Sequence, residues 1–181
     1  FVERINIFGN NITSENVIRN QLLIDEGDPF NKILEVKSIN NIKSLNFFRD
    51  VKSEIISNEN DNTKIINISV EEKPTGEIMA GAGFGTSGSS LLFGVKENNF
   101  LGKGISLDSK FNLGTDTIKG QISVNNPNYK NSDKSVNFTL MSAETDRLKS
   151  SGYKTNKTGF SLGSRFEYYD DLFLSIGTST F

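Results

Sequence analysis

The tightest constraint in this sequence is a two-residue alternation that recurs through its C-terminal half. From Ile105 to Leu113 the odd positions are mostly apolar (Ile105, Leu107, Phe111, Leu113), whereas Ser106, Asp108, Lys110 and Asn112 fill the even ones. Successive side chains of a strand point to opposite faces, so this pattern makes a strand with one oily and one wet side. The split returns in Ile118, Ile122 and Val124 against Lys119, Gln121 and Ser123, and in Val136, Phe138 and Leu140 against Asn137 and Thr139. Phe160, Leu162, Phe166 and Tyr168 stand against Ser161, Arg165 and Glu167, and Leu172, Leu174 and Ile176 against Ser175 and Gly177. The segment reads as about seven strands, near the length a tilted transmembrane strand needs.

Two architectures share this pattern. A soluble sandwich turns its oily faces to a core, and a membrane barrel turns them to lipid. Mean hydropathy is −0.37 and no apolar run reaches the length of a spanning helix, so entry into a membrane would be by strands. The barrel is favoured by bulky charges on the wet faces and by Phe100, Tyr129, Tyr168 and Tyr169 at strand ends, where an interfacial girdle sits. Connections are expected to alternate between long outer ones, such as Ala143 to Asn156, and short turns, such as Tyr169-Asp170-Asp171. About seven strands do not close a barrel, so Phe181 reads as a cut. Phe1 without a charged-then-apolar leader reads likewise as the start of an excised piece.

Ahead of Pro74 the composition differs. Val2 to Phe8 reads as a strand ended by Gly9-Asn10-Asn11, residues tolerant of left-handed backbone. Thr13 is placed to cap a helix stapled by Ile12 and Val17, continued by Ile18 and Leu22 and ending near Asp25 to Pro29. Leu34, Ile39, Ile42 and Leu45 suggest a second helix over Asn31 to Asn46, with Phe47 and Phe48 anchoring its exit. Val51 to Ile56 and Thr63 to Glu71 read as strands joined by a polar turn over Ser57 to Asn62, giving the order β-α-α-β-β.

Several function classes fall away. The chain carries a net charge of −2 and a pI near 5.3, too little positive charge to neutralise a run of phosphates, so no nucleic-acid partner is expected. It has no histidine and no cysteine, which removes imidazole bases, thiol nucleophiles and the zinc sites built from them. Gly83 to Gly88 matches the G-x-G-x-x-G spacing, but Ser89 to Val95 reads as a strand rather than the helix a dinucleotide needs. Glu71-Glu72 point to opposite faces, Asp170-Asp171 lie in a turn, and Asn58, Asn60, Asp61 and Asn62 lack the glycine and distal glutamate of a calcium loop. No enzyme, cofactor or metal is expected.

The residues also carry a resemblance. Phe8-Gly9-Asn10, Glu26-Gly27 and Leu45-Asn46-Phe47-Phe48-Arg49-Asp50-Val51 resemble the POTRA domain, and Val70 to Gly76 resembles its hand-over into a barrel. Gly81-Ala82-Gly83-Phe84-Gly85-Thr86, Asn98 to Gly104 and Asn125 to Tyr129 look like the first strand and first two periplasmic turns of the outer-membrane insertase, or bacterial surface antigen, family. Phe100 stands where that family often has tryptophan.

The resemblance implies a POTRA domain over residues 1–74 and the N-terminal part of an outer-membrane β-barrel over 75–181. It implies that Val51, Lys52, Ser53, Glu54, Ile55 and Ile56 form an edge strand able to take up an extended peptide. It further implies that Ile78, Met79, Ala80, Gly81, Ala82, Gly83, Phe84 and Gly85 form a lateral gate on which substrate strands pair. The implied partners are unfolded outer-membrane β-barrel proteins, periplasmic lipoproteins of an assembly complex and outer-membrane lipid. Three alternatives stand beside it: a translocation-type transporter sharing both modules, a soluble β-rich binding module, and glycines that serve only curvature.

Overall fold

The computed structural model describes residues 1–58, 63–85, 88–169 and 172–181. The chain divides into two units, Phe1–Thr75 with Leu101–Lys103, and Gly76–Phe100 with Gly104–Phe181.

The first unit runs β1 (Val2–Phe8), α1 (Glu15–Arg19), α2 (Lys32–Ser44), β2 (Phe48–Asn58) and β3 (Thr63–Glu72). Its sheet has the order β1-β3-β2, with β1 parallel and β2 antiparallel to β3. Ile66, Ile68 and Val70 alternate inward on the central strand and meet Ile18, Ile39, Ile42, Phe47 and Phe48 in one core. Asn31 caps α2, its side chain accepting the N–H groups of Ile33 and Leu34, which satisfies donors that a helix start leaves orphaned. Gly9 has φ +89, and a Cβ there would lie 2.0 Å from the Val70 carbonyl oxygen, so this turn admits glycine alone.

The first helix is shorter than the apolar spacing suggests, ending at Arg19 instead of near Asp25 to Pro29. Side chains of α2 claim the backbone that would have continued it: Asn41 donates to the Gln21 carbonyl, and Ser38 Oγ accepts the Leu23 N–H at 2.8 Å. Thr13 is not the cap. It is buried, its N–H donates to the Glu72 carboxylate, and Ser14 takes the N-cap position without a side-chain bond. Ile12 is 73% exposed and forms no staple. The polar turn read over Ser57 to Asn62 falls largely on residues 59–62, outside the described residues.

The second unit is a meander of seven strands: β4 (Gly76–Gly85), β5 (Gly88–Phe100), β6 (Ile105–Gly114), β7 (Thr117–Asn126), β8 (Ser135–Arg147), β9 (Tyr153–Tyr169) and β10 (Leu172–Thr180). Each pairs antiparallel with its sequence neighbours, leaving β4 and β10 as the two edges. The wet face is tied across strands by Ser123 to Thr139 at 3.1 Å and along β6 by Lys110 to Asp108 at 2.8 Å.

The oily face is uncovered. Every buried apolar side chain among the described residues lies between Val2 and Val70, whereas Phe111, Leu140, Phe160 and Leu162 are each more than 40% exposed. A soluble sandwich would bury such a face against a second sheet; among the described residues none packs on it. Leu113 pairs with Ile118, but the same row continues as Glu144 and Asn156, and on β8 and β9 the apolar face stops at Leu140 and Phe160. Pairing rows thus cross the apolar band obliquely, as strands tilted by about 35–45° in a slab require.

Two expectations about connections are corrected. Ala143 to Asn156 is mostly strand: β8 and β9 pair through Arg147 and Tyr153, leaving a single helical turn at Leu148–Ser151. Lys154, bonded to Glu144 at 2.6 Å and close to Asp146, lets charged residues extend the ladder beyond the apolar band. Nor do long and short connections alternate by rim. One rim carries residues 115–116 and 148–152, and the other carries 101–104 and the longer stretch 127–134. Phe100, Tyr129, Tyr168 and Tyr169 all gather at this second rim. Asp170 and Asp171 lie outside the described residues.

Candidate functional site

Among the described residues β1, β2, β4 and β10 are edge strands, and two of them coincide with the expected pairing surfaces. In the first unit it is β2. Val51 is buried against the core and the Ser53 hydroxyl donates to buried Glu35 of α2, while Lys52, Glu54 and half-exposed Ile56 face away. Glu35 is also paired with Lys32 at 2.7 Å, so the inner side of this edge is braced by a charge held from the helix. On the outer side Lys52 and Asp50 pair at 2.8 Å, the contact holding the Asp50 carboxyl below and the Lys52 amine above their ordinary ranges. Charges of this kind keep an edge strand from unregulated pairing while leaving its backbone accessible.

In the second unit the strand expected to serve is β4, one of the two edges, paired only with β5 among the described residues, from Gly76↔Glu97 to Gly85↔Gly88. Its oily side carries Ile78, Ala80, Ala82 and Phe84, with Ile78 and Phe84 86% and 89% exposed. Its wet side carries Glu77, Met79, Gly81, Gly83 and Gly85. None of these three glycines has a positive φ. A Cβ at Gly81 would come no closer than 3.9 Å to Leu92, and one at Gly85 would meet nothing within 4 Å. Neither backbone conformation nor crowding demands glycine at those two positions. What glycine removes there is side-chain packing, which leaves the strand held chiefly by its ladder to β5.

The catalytic leads resolve into structure. Glu71 pairs with Arg49 at 3.1 Å, while Glu72 turns the other way and accepts the N–H groups of Asn11, Ile12 and Thr13. Burial by itself pushes the Glu72 carboxyl upward, but the Thr13 hydroxyl and these three N–H groups outweigh it and hold the group below its ordinary value. Sequence reasoning missed this cradle, because no local pattern links Glu72 to a loop 59 positions away. The G-x-G-x-x-G segment is strand on both described sides, with Thr86 and Ser87 outside the described residues. Among the described residues no three-member carboxylate cluster is placed to hold a metal, and no helix is long and apolar enough to cross a membrane.

A three-stranded α+β unit with an accessible edge, followed by tilted strands with a lipid-facing side and a weakly packed edge, defines a class: a POTRA domain joined to outer-membrane β-barrel strands. Residues 1–73 match the POTRA family, described as surface antigen variable number repeat. The chain is 26% identical over 165 residues to the outer membrane protein assembly factor BamA of Neisseria meningitidis, covering 88% of this chain and 21% of that protein. It is 36% identical over 109 residues to BamA of Buchnera aphidicola, covering 59% of this chain and 18% of that protein. Its fold agrees with the crystal structure of Haemophilus ducreyi BamA lacking POTRA domains 1–3, at a TM-score of 0.85 and 24% identity over 99% of this chain and 35% of that one. Residues 1–73 are a POTRA domain, and the chain as a whole is a POTRA-plus-barrel fragment similar to the BamA outer-membrane assembly factors, its strands in the outer membrane and its POTRA domain on the periplasmic side. It spans about a fifth of the length of each of these two BamA proteins.

Proposed function

We propose that the parent protein inserts and folds other β-barrel proteins in the outer membrane, with incoming strands pairing on β4, from Ile78 to Gly85. The observation that carries this reading is an edge strand, uncovered among the described residues, whose Gly81 and Gly85 are required by neither conformation nor neighbours. Backbone N–H and C=O groups are the binding site, so strands of any sequence compatible with the membrane can be accepted. No covalent step is involved; association and exchange of hydrogen-bonded strands are sufficient. Low side-chain packing along β4 permits that exchange, since a tightly interlocked seam would hold its first partner.

In the same reading, residues 1–74 act as a receiving module and 75–181 as part of the barrel. The β2 edge, Val51 to Ile56, takes up extended segments of unfolded substrate by strand addition. Periplasmic lipoproteins of the assembly complex dock on the POTRA domain, and outer-membrane lipid surrounds the oily face.

The test is to replace Gly81 and Gly83 by valine in the intact parent protein and follow insertion of a barrel substrate into vesicles. The valine variants, folded as judged by heat-modifiable migration, are expected to insert substrate about tenfold more slowly, the effect of about 1.4 kcal/mol on the exchange barrier. Unchanged insertion kinetics in folded variants would remove β4 as the gate.

A further inference from the structure

The rim carrying the 127–134 connection holds two adjoining hollows. One, of about 590 Å³, is lined chiefly by Tyr129, Val136, Leu162, Phe166 and Ile176. The other, of about 380 Å³, shares Phe166 and is edged by Asp133, Lys134, Glu167, Tyr168 and Tyr169. An apolar recess and a charged, aromatic recess thus meet at one side chain, where the apolar face ends.

The connection between β7 and β8 is shaped toward this junction. Lys130 and Asn131 both sit in the left-handed region, with φ 56° and 55°; asparagine tolerates it, whereas for Lys130 it costs about 1–2 kcal/mol. A turn needed only to reverse the chain would use glycine there. Instead the turn wraps around Tyr129, whose N–H donates to the Lys134 carbonyl at 2.8 Å and whose carbonyl accepts the Ser132 hydroxyl at 2.6 Å. Lys130 thereby comes to 5.5 Å from the centre of the Tyr129 ring, which itself lines the apolar hollow. Among the described residues, Lys130, Asp133 and Lys134 form no ion pair.

We propose that the two hollows form a site for one phospholipid with a phosphoethanolamine headgroup, one acyl chain lying in the apolar hollow and the headgroup at the 127–134 turn. The inference rests on the membrane reading of the oily face and adds a defined lipid to it. Only an amphiphile offers hydrocarbon and charge together at such a boundary. The rim is of mixed sign: Lys130 and Lys134 suit a phosphate, and Asp133 suits a primary ammonium that donates hydrogen bonds. A phosphoglycerol headgroup has no cation for Asp133, and a choline has no N–H to give it. Tyr129 and Tyr168 supply the amphipathic rings that settle at headgroup level.

The intact parent protein, purified in detergent and stripped of lipid, is probed by native mass spectrometry with phosphatidylethanolamine, phosphatidylglycerol and phosphatidylcholine of identical acyl chains. Phosphatidylethanolamine is expected to be retained about fivefold better than the other two. The double variant Lys130→Ala/Lys134→Ala, and separately Leu162→Trp, which fills the apolar hollow, should each reduce that retention about fivefold while heat-modifiable migration is unchanged. Equal retention of the three lipids by folded protein, or undiminished retention in both variants, overturns the site and leaves the membrane reading standing. A parent protein that stays soluble without detergent and lacks heat-modifiable migration overturns both.

Discussion

The Glu72 carboxylate accepts the Thr13 N–H at 2.6 Å, joining the last residue of β3 to the loop that leads into α1. Its folded pKa is depressed, so the stabilisation is present above the ordinary value of 4.5 and is lost as pH falls through the lower folded value. Amide exchange at Asn11, Ile12 and Thr13 should therefore accelerate on acidification once the intrinsic pH dependence of exchange is removed. In Glu72→Gln it should already be fast at neutral pH and show no such step. Because the group is partly solvated, the loss at neutral pH is about 1 kcal/mol.

Ile42 is fully buried at the centre of the POTRA core. Ile42→Ala leaves a cavity among Ile18, Ile39 and Phe47 and should cost about 2–5 kcal/mol, enough to unfold a domain of this size. Limited proteolysis of the intact protein is the check, with cleavage within residues 1–75 expected in the variant and resistance in the wild type.

Gly9 combines a positive φ with a 2.0 Å approach of a virtual Cβ to the Val70 carbonyl. Gly9→Ala should destabilise the POTRA domain by more than the roughly 1 kcal/mol of left-handed strain, because the β1 terminus must also move away from β3. A wild-type unfolding midpoint in urea for this variant would show that the turn relaxes freely.

Leu140 and Thr139 are neighbours on β8 that face opposite ways, Leu140 in the oily row with Ile122 and Phe160 and Thr139 in the wet row with Ser123 and Ser161. Phe138→Arg, in the middle of the apolar stretch of β8 between Val124 and Leu162, should cost about 2–4 kcal/mol, and Thr139→Arg little. Reversible unfolding from vesicles distinguishes them; equal costs would mean that the faces are assigned the wrong way round.

The strands were legible because alternation is a local signal, carried by residues such as Leu107, Asp108 and Lys110 within one segment. Long-range partners were not legible. Nothing near Thr13 announces that Glu72 will take its N–H, and nothing near Leu23 announces Ser38, so α1 reads longer than it is. Ala143 to Asn156 reads as a loop because Glu144, Asp146 and Lys154 put charges on the face that is oily elsewhere. Their polarity marks where the strands leave the apolar band, not where pairing ends. For the edges, the family resemblance singled out β4 and β2, whereas the spare character of Gly81 and Gly85 needed their neighbours in space.

Every strand of the seven-membered sheet after β4 pairs with the one before it in sequence. Such a sheet can grow one hairpin at a time, each closure spanning a short stretch of chain and costing little loop entropy. In that order of assembly β4 gains β5 at the first step and nothing afterwards, since all later growth occurs at the opposite margin. Its outer backbone groups stay unsatisfied while these strands add, so the feature that makes β4 available to other chains is also a hazard during its own maturation. Glycine at Gly81, Gly83 and Gly85 lowers that hazard by giving an unintended partner little side-chain surface to grip, so wrong pairings remain short-lived.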